Sequence, residues 1–286
     1  MFRRKPEYDL CLKPANVAKN LADSICVEKV HSSLTKMVIL GFFAGAFIAF
    51  GGELSTMVSV GTSNLSIGIS KFLAGSVFSV GLMLVVIAGA ELFTGNNLVI
   101  ISALDKKIRF TQVVKNWVII YAANFAGAFF IAVLMYFSGL WRTGGTEWGI
   151  TAANIAVAKV DLTFTEAFFR GIGCNWLVCL AVWMAIASRD VVGKIFAIYF
   201  PIMAFVASGF EHVIANMYFI PMGLFLKGTE VAATVKMENL TWGSMVIRNF
   251  VPVTLGNIIG GAFFVGFLYW VVYLRPVEEE TEPEEQ

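Results

Sequence analysis

The feature that most constrains this chain is a series of long apolar segments separated by short polar connections. A helix needs about 20 apolar residues to cross the hydrocarbon core of a bilayer. Of the 286 residues, 58% are hydrophobic and 14% are charged, which is far from the composition of a soluble domain. We therefore expect an all-α integral membrane protein with six transmembrane helices, near residues 34–59, 72–104, 113–140, 164–187, 194–226 and 248–274.

The second and fifth segments are longer than one span requires, and polar or small residues interrupt both in mid-course. The first interruption covers residues 90–97 and the second covers residues 208–216. Irregular backbone at membrane depth is tolerated only where it lines a cavity or is buried in protein. Each segment is therefore predicted to be a broken helix, with the functional path running past both breaks.

The two interruptions match each other at an offset of 120 residues, which indicates an internal duplication. The matching pairs are Gly89 and Gly209, Glu91 and Glu211, Gly95 and Ala215, and Asn96 and Asn216. The third and sixth segments match at an offset of 133, pairing residues 115–118 with 248–251, Asn124 with Asn257, and Gly127 with Gly260. Each half, about 34–140 and 164–274, holds three spans, so regular threading makes the halves inverted repeats.

The ends of the chain are polar and flank the predicted channel domain, residues 34–274. Residues 1–33 are expected to form a cytoplasmic arm whose helix is amphipathic, lying along the membrane face, or is a plain surface helix. Residues 275–286 are rich in glutamate and are expected to be a disordered tail. Most of the 21 Lys and Arg residues fall on the side of both termini, which predicts that the termini are cytoplasmic. We expect the chain to lie in the cell inner membrane.

The candidate functional residues lie at or near the two breaks. His212 is the histidine that falls within a span, and an ionisable group at mid-membrane usually marks a functional path. A neutral structural histidine is the alternative. Glu91 and Glu211 hold equivalent repeat positions and are expected to accept hydrogen bonds from freed backbone amides at the opposite break, or to act as paired acid and base.

Two further polar residues are candidates on similar grounds. Lys159 lies on the connection between the halves, where it would concentrate anions or would simply be a solvated loop lysine. Asn175 is an amide inside the fourth span, and hydrogen bonding between helices is the alternative to a functional role.

Several functional classes lack the residues they require. No nucleophile, metal cluster or phosphate loop accompanies the carboxylates, so we expect no enzyme, no cofactor and no metal. A net charge of +1 without a basic stripe argues against nucleic acid as a partner. A haem-binding redox subunit would need two imidazoles at one depth and remains a remote alternative, and the paired Asn-Pro-Ala motifs of a water channel are missing.

Four stretches carry a family likeness. Residues 89–96, 174–181, 209–217 and 252–257 closely resemble the formate/nitrite transporter family, and the likeness extends over about residues 14–274. It implies an aquaporin-like protomer assembled into a homopentamer, with a pore for small monovalent anions in each protomer.

The resemblance also implies roles for individual residues. Thr94, in the loop of the broken second helix, would face His212, while Asn175 would line the same chamber and Lys159 would be the family's loop lysine. Hydrophobic constrictions would flank this chamber, formed by Phe78 and Phe205 toward the outside and by Leu82, Leu92 and Phe93 toward the inside.

A dry constriction repels a bare anion because the anion loses its hydration there. We therefore expect Lys159 and helix N-termini to attract the anion and His212 to supply a proton, directly or through water, so that the neutral acid crosses. Conduction of the anion alone would use the same residues and remains open.

The substrate is expected to be formate. Formate channels of the family commonly have aspartate and serine around the loop motif, where this chain has Glu91 and Gly95, and residues 174–181 resemble nitrite members. Residues 220–223 and the chain length resemble formate members. Nitrite is the next alternative, followed by hydrosulfide or another weak-acid anion.

Overall fold

The computed structural model describes residues 11–275, and within them the regular structure is helical with no β-strand. The predicted acidic tail from residue 276 and the basic residues of positions 1–10 lie outside the described residues. The principal helices are α1 (14–31), α2 (Leu34–Ser59), α3 (Ile67–Gly89), α4 (Gly95–Leu104), α5 (Phe110–Phe137), α6 (Glu147–Val160), α7 (Phe164–Ala187), α8 (Val191–Ala207), α9 (Val213–Leu226) and α10 (Trp242–Tyr273).

The all-α membrane fold predicted from the sequence is confirmed. Helices α2, α3, α5, α7 and α10 are each long and apolar enough to cross a membrane, and the predicted fifth span consists of the two shorter apolar helices α8 and α9. Helices α3 and α10 begin several residues earlier than predicted. The reason is capping, because the hydroxyls of Ser66 and Thr241 accept hydrogen bonds from the Ile69 and Ser244 amides.

Both predicted helix breaks are present, and a glycine begins each one. Helix α3 ends at Gly89, where φ is +89°, and Gly209 follows α8 with φ of +77°. Glycine adopts this left-handed conformation without the steric cost that a Cβ brings. The chain is then non-helical for a few residues, with Ala90 and His212 in extended conformations, before α4 and α9 begin.

Contacts between the connections show that the chain alternates between two faces of the bundle. On one face, the Leu12 amide donates to the Ala187 carbonyl (2.9 Å) and Lys107 pairs with Asp23 (3.4 Å). On the opposite face, Asn239, in the connection that follows α9, donates to Asp161 (3.0 Å) at the end of α6. Helix α1 and helix α6 therefore cover opposite faces.

An approximate twofold axis relates the two halves. Ser79 donates to the carbonyl of Tyr199 (3.2 Å), and these residues hold equivalent positions at the offset of 120. The hydroxyls of Tyr121 and Thr254, equivalent at the offset of 133, also meet at 3.2 Å. Equivalent residues touch each other only close to such an axis, and the three-span halves make it an inverted repeat.

A buried asparagine holds the second break in place. Asn257 of α10 accepts a hydrogen bond from the Val213 amide (3.0 Å) and donates to the carbonyls of Glu211 (2.9 Å) and Gly171 (2.8 Å). One side chain therefore satisfies backbone groups that the break removes from the helix and fastens the break to α7.

The first break is held in the same way by the equivalent residue. Asn124 of α5 accepts from the Phe93 amide (2.9 Å) and donates to the carbonyls of Glu91 (2.9 Å) and Gly41 (2.7 Å). Both asparagines are fully buried. The repeat therefore extends to individual hydrogen bonds.

We predict that Asn257→Ala destabilises the protein strongly, because it removes three hydrogen bonds and leaves buried backbone groups of the break without this partner. The expected loss is about 3 kcal/mol or more, from roughly 1–3 kcal/mol for each buried group left unsatisfied. Thermal unfolding in detergent measures it, with Asn154→Ala, at an exposed position of α6, as control. Equal unfolding temperatures for the two variants would contradict the role given to Asn257.

Candidate functional site

Two cavities enter the bundle, and each reaches one of the helix breaks. The cavity beside α6, here called the Lys159 cavity, has a volume of about 420 Å³ and reaches Glu211 and His212. The cavity beside α1, here called the Lys29 cavity, has a volume of about 460 Å³ and reaches Glu91. The Lys159 cavity and the Lys29 cavity occupy equivalent positions in the two repeats.

A lysine and a glutamate form an ion pair at the end of each cavity. The Nζ atom of Lys159 lies 3.1 Å from both carboxylate oxygens of Glu211, and the two side chains are 14% and 7% exposed. Lys29 lies 2.8 Å from both oxygens of Glu91. Each glutamate is therefore paired with a lysine, and that lysine lies on the helix that covers the same face of the bundle.

Asparagine side chains complete the hydrogen bonding of both carboxylates. Asn216 donates to Glu211 (2.7 Å), and Asn96 donates to Glu91 (2.8 Å). The sequence-based expectation that the glutamates accept from freed backbone amides at the opposite break was wrong. Lysine and asparagine side chains are the donors instead. The freed backbone groups already have partners, because buried asparagines such as Asn257 hydrogen-bond to them.

His212 lines the Lys159 cavity and is 3% exposed. It caps α9, because its Nδ1 atom accepts a hydrogen bond from the Ala215 amide (3.1 Å). A ring nitrogen that accepts from an amide carries no proton, so the proton of the neutral ring is on Nε2. Nε2 lies 2.9 Å from the Thr94 Oγ1 atom and donates to it, leaving the Thr94 hydroxyl proton for another acceptor.

The polar pair formed by Thr94 and His212 has no counterpart in the repeat. The residue equivalent to His212 is Leu92, and the residue equivalent to Thr94 is Ile214. The duplicated framework therefore holds an asymmetric polar contact, in which an imidazole from one break faces a hydroxyl from the other.

Asn175 fixes the segment that carries Thr94. Its Nδ2 atom donates to the carbonyls of Thr94 (3.2 Å) and Asn257 (2.7 Å), and the thiol of Cys179 also donates to the Thr94 carbonyl (3.3 Å). Asn175 is fully buried and lines neither cavity. Its contacts position the Thr94 hydroxyl against His212.

Apolar side chains surround the Thr94–His212 contact. Phe78 and Phe205 line the Lys159 cavity with their ring centroids 5.7 Å apart, and the Phe205 ring lies along the His212 ring at 5.9 Å. Leu82 and Leu92 line the Lys29 cavity. All four are buried, so an apolar layer separates the cavities.

The structure does not bring Phe93 to this layer. Its ring packs edge-on against Tyr121 and Trp117 at 5.1 and 6.2 Å, and the residue lines neither cavity. The side chain points toward α5 because the amide of Phe93 is held by Asn124.

Lys29 is the residue that sequence reasoning missed. It lies on α1, which was expected to lie along the membrane face, whereas α1 covers its cavity as the equivalent of α6. The signal is present in the sequence, because the spacing between Lys29 and Lys159 equals that between Gly41 and Gly171.

Comparison with known proteins agrees with this architecture. A family model described as Formate/nitrite transporter matches residues 16–271. The chain belongs to the formate/nitrite transporter family. Members of this family are membrane channels and transporters, and the described chain has the multi-pass apolar helices that such a function requires.

Related family members match almost end to end. A probable formate transporter from Methanothermobacter thermautotrophicus is 46% identical over 278 residues, which covers 92% of this chain and 97% of that protein. The formate channel FocA of Escherichia coli strain K12 is 40% identical over 276 residues, with coverage of 94% and 96%.

Solved structures of the family share the fold. A pentameric formate channel with formate bound has 36% identity and a TM-score of 0.76, covering 85% of this chain and 98% of that one. An FNT family ion channel has 29% identity and a TM-score of 0.77, covering 91% and 98%.

We predict that Lys159→Met destabilises the protein by about 3 kcal/mol, because it leaves the buried Glu211 carboxylate without its ion-pair partner. Lys159→Met combined with Glu211→Gln should recover most of that loss. Denaturant unfolding in detergent measures both, and Lys71→Met is the control, since Lys71 lines the same cavity and pairs with no carboxylate in residues 11–275. A double variant no more stable than Lys159→Met would show that the ion pair does not stabilise the break.

Proposed function

We propose that this chain is a channel for formate in the cell inner membrane, assembled as a homopentamer with both termini in the cytoplasm. The observation that carries the proposal is the Thr94–His212 contact, enclosed in an apolar layer between two lysine-bearing cavities. Formate channels and transporters among the relatives support the substrate, and the pentameric formate channel supports the assembly.

The charges of the cavities select monovalent anions in this proposal. The Lys29 cavity also contains Lys36, and the Lys159 cavity also contains Arg170, so cations outnumber carboxylates in both. A narrow depression of one sign raises the local concentration of counter-ions and repels ions of like charge. Formate is therefore concentrated at both entrances.

The apolar layer then decides the form in which formate crosses. A bare anion loses its hydration there without an ionic partner, whereas formic acid carries no net charge and loses little. We propose that formate takes up one proton at the layer, crosses as formic acid and releases the proton in the opposite cavity. Net transport is one formate with one proton.

The hydrogen bonds of His212 define how it would deliver this proton. The proton on Nε2 would move to Thr94 Oγ1 while the Thr94 hydroxyl proton moves to a formate oxygen. The ring stays neutral only if Nδ1 gains a proton that water relays from the solution on the side of the Lys159 cavity, so the hydrogen bond from the Ala215 amide opens during each transfer. Before the next transfer the ring returns to the Nε2–H tautomer, losing the Nδ1 proton to water and gaining one on Nε2 from water. His212 thus acts both as a helix cap and as a proton donor.

We predict that His212→Asn lowers formate uptake at least tenfold while keeping the fold. Asparagine is a good N-cap and can accept from the Ala215 amide, but it has no Nε2–H facing Thr94. His212→Ala loses the cap as well and should unfold about 1 kcal/mol more easily. Uptake of labelled formate into proteoliposomes, with internal pH recorded, compares these variants with the unmodified protein.

Each result of this experiment has a distinct meaning. Saturable uptake with internal acidification in the unmodified protein, lost in His212→Asn, would support the proposal. Normal uptake and acidification by His212→Asn would reduce His212 to a structural cap. Strong preference for nitrite over formate would make the substrate assignment wrong while leaving the pathway intact.

A further inference from the structure

Arg170 distinguishes the Lys159 cavity from its repeat equivalent. The Arg170 carbonyl accepts a hydrogen bond from the Glu211 amide (3.2 Å), and the residue lines the Lys159 cavity. In the other half, the Leu40 carbonyl accepts from the Glu91 amide (3.1 Å), and Leu40 lines the Lys29 cavity. The same backbone arrangement therefore puts an arginine in the lining of one cavity and a leucine in the lining of the other.

The guanidinium of Arg170 is not committed to another side chain. Within residues 11–275 it makes no hydrogen bond and no ion pair, although it is only partly exposed. Glu166, one helical turn earlier, accepts from the Thr163 amide (2.9 Å) and hydroxyl (2.7 Å) through Oε2, and the Arg170 charge attracts its carboxylate without a direct ion pair. Lys159, in contrast, is held by both oxygens of Glu211.

An uncommitted guanidinium recognises a particular class of anion. Its planar fork of N–H groups matches the two coplanar oxygens of a carboxylate and binds both at once. An ammonium is a point charge and does not distinguish a planar anion from a spherical one of equal charge. Formate and nitrite each present two coplanar oxygens, whereas chloride does not.

We propose that Arg170 is the specificity-determining residue of the Lys159 cavity, binding planar two-oxygen monovalent anions bidentately before they reach His212. The inference rests on the proposed function, because it names the recognition step of the same pathway. The Lys29 cavity has Leu40 at the equivalent position and lacks this step, so the two entrances differ in selectivity although they share one framework.

The test measures labelled formate uptake into proteoliposomes, with nitrite and chloride as competitors, for the unmodified protein, Arg170→Leu and Arg170→Lys. Arg170→Leu should raise the half-saturating formate concentration about tenfold, the loss of one charge-assisted bidentate contact. Arg170→Lys should change the half-saturating formate concentration by no more than about threefold. It should reduce the preference for nitrite over chloride, so that the inhibition constants of these two competitors become more similar. Arg142→Leu removes one positive charge between α5 and α6, outside both cavities, and should change neither quantity.

The outcomes separate this inference from the function on which it rests. If the unmodified protein transports formate and both Arg170 variants keep its half-saturation and its preference for nitrite over chloride, the inference is wrong and the channel function stands. If Arg170→Lys keeps the full preference, Arg170 acts only as a charge and bidentate recognition is wrong. If the unmodified protein moves no formate, both proposals fall. Arg170→Lys keeps the charge, so it remains informative even if Arg170→Leu does not fold.

Discussion

One buried asparagine at each helix break makes the rest of this structure possible. A helix that stops at membrane depth frees backbone amides and carbonyls that no water can reach, and each costs several kcal/mol if left alone. Asn124 and Asn257 offer a donor and an acceptor at the same point, so each satisfies groups on its break and joins that break to a neighbouring helix. With the breaks fixed, short polar contacts at the centre of the bundle become possible.

The proposed proton transfer and anion recognition use positions at which the two copies differ. The repeat supplies two breaks, two ion pairs and two cavities, and such a symmetric framework alone would treat both entrances equally. His212 replaces the leucine of the other half, Thr94 replaces an isoleucine, and Arg170 replaces a leucine. These differences add the Thr94–His212 contact and an arginine in one cavity to a framework that is otherwise matched, and the proposed function depends on them.

The fold class, the helix breaks and the duplication could be predicted from the sequence. They depend on the lengths of apolar segments, the positions of glycines and the repeated spacing of residues, which are local or periodic signals. The sequence was insufficient for contacts between helices. The repeat spacing pairs Lys29 with Lys159, but the contact of Lys29 with Glu91 joins distant parts of the chain and is seen only in the folded bundle. The direction of Phe93 toward α5 depends on the hydrogen bond to Asn124, which no periodicity contains. The starts of α3 and α10 are a different case, because Ser66 and Thr241 are local N-cap residues from which both starts could have been predicted.

The proposed mechanism requires that a neutral molecule crosses the apolar layer around Thr94 and His212. Its most direct test is a simultaneous measurement of labelled formate flux and electrical current across a membrane containing the unmodified protein, under a formate gradient at equal pH. The account predicts formate flux with little accompanying current, because formate and proton cross together. A current equal to the charge carried by the formate that crosses would show that the bare anion passes the layer, and would contradict it.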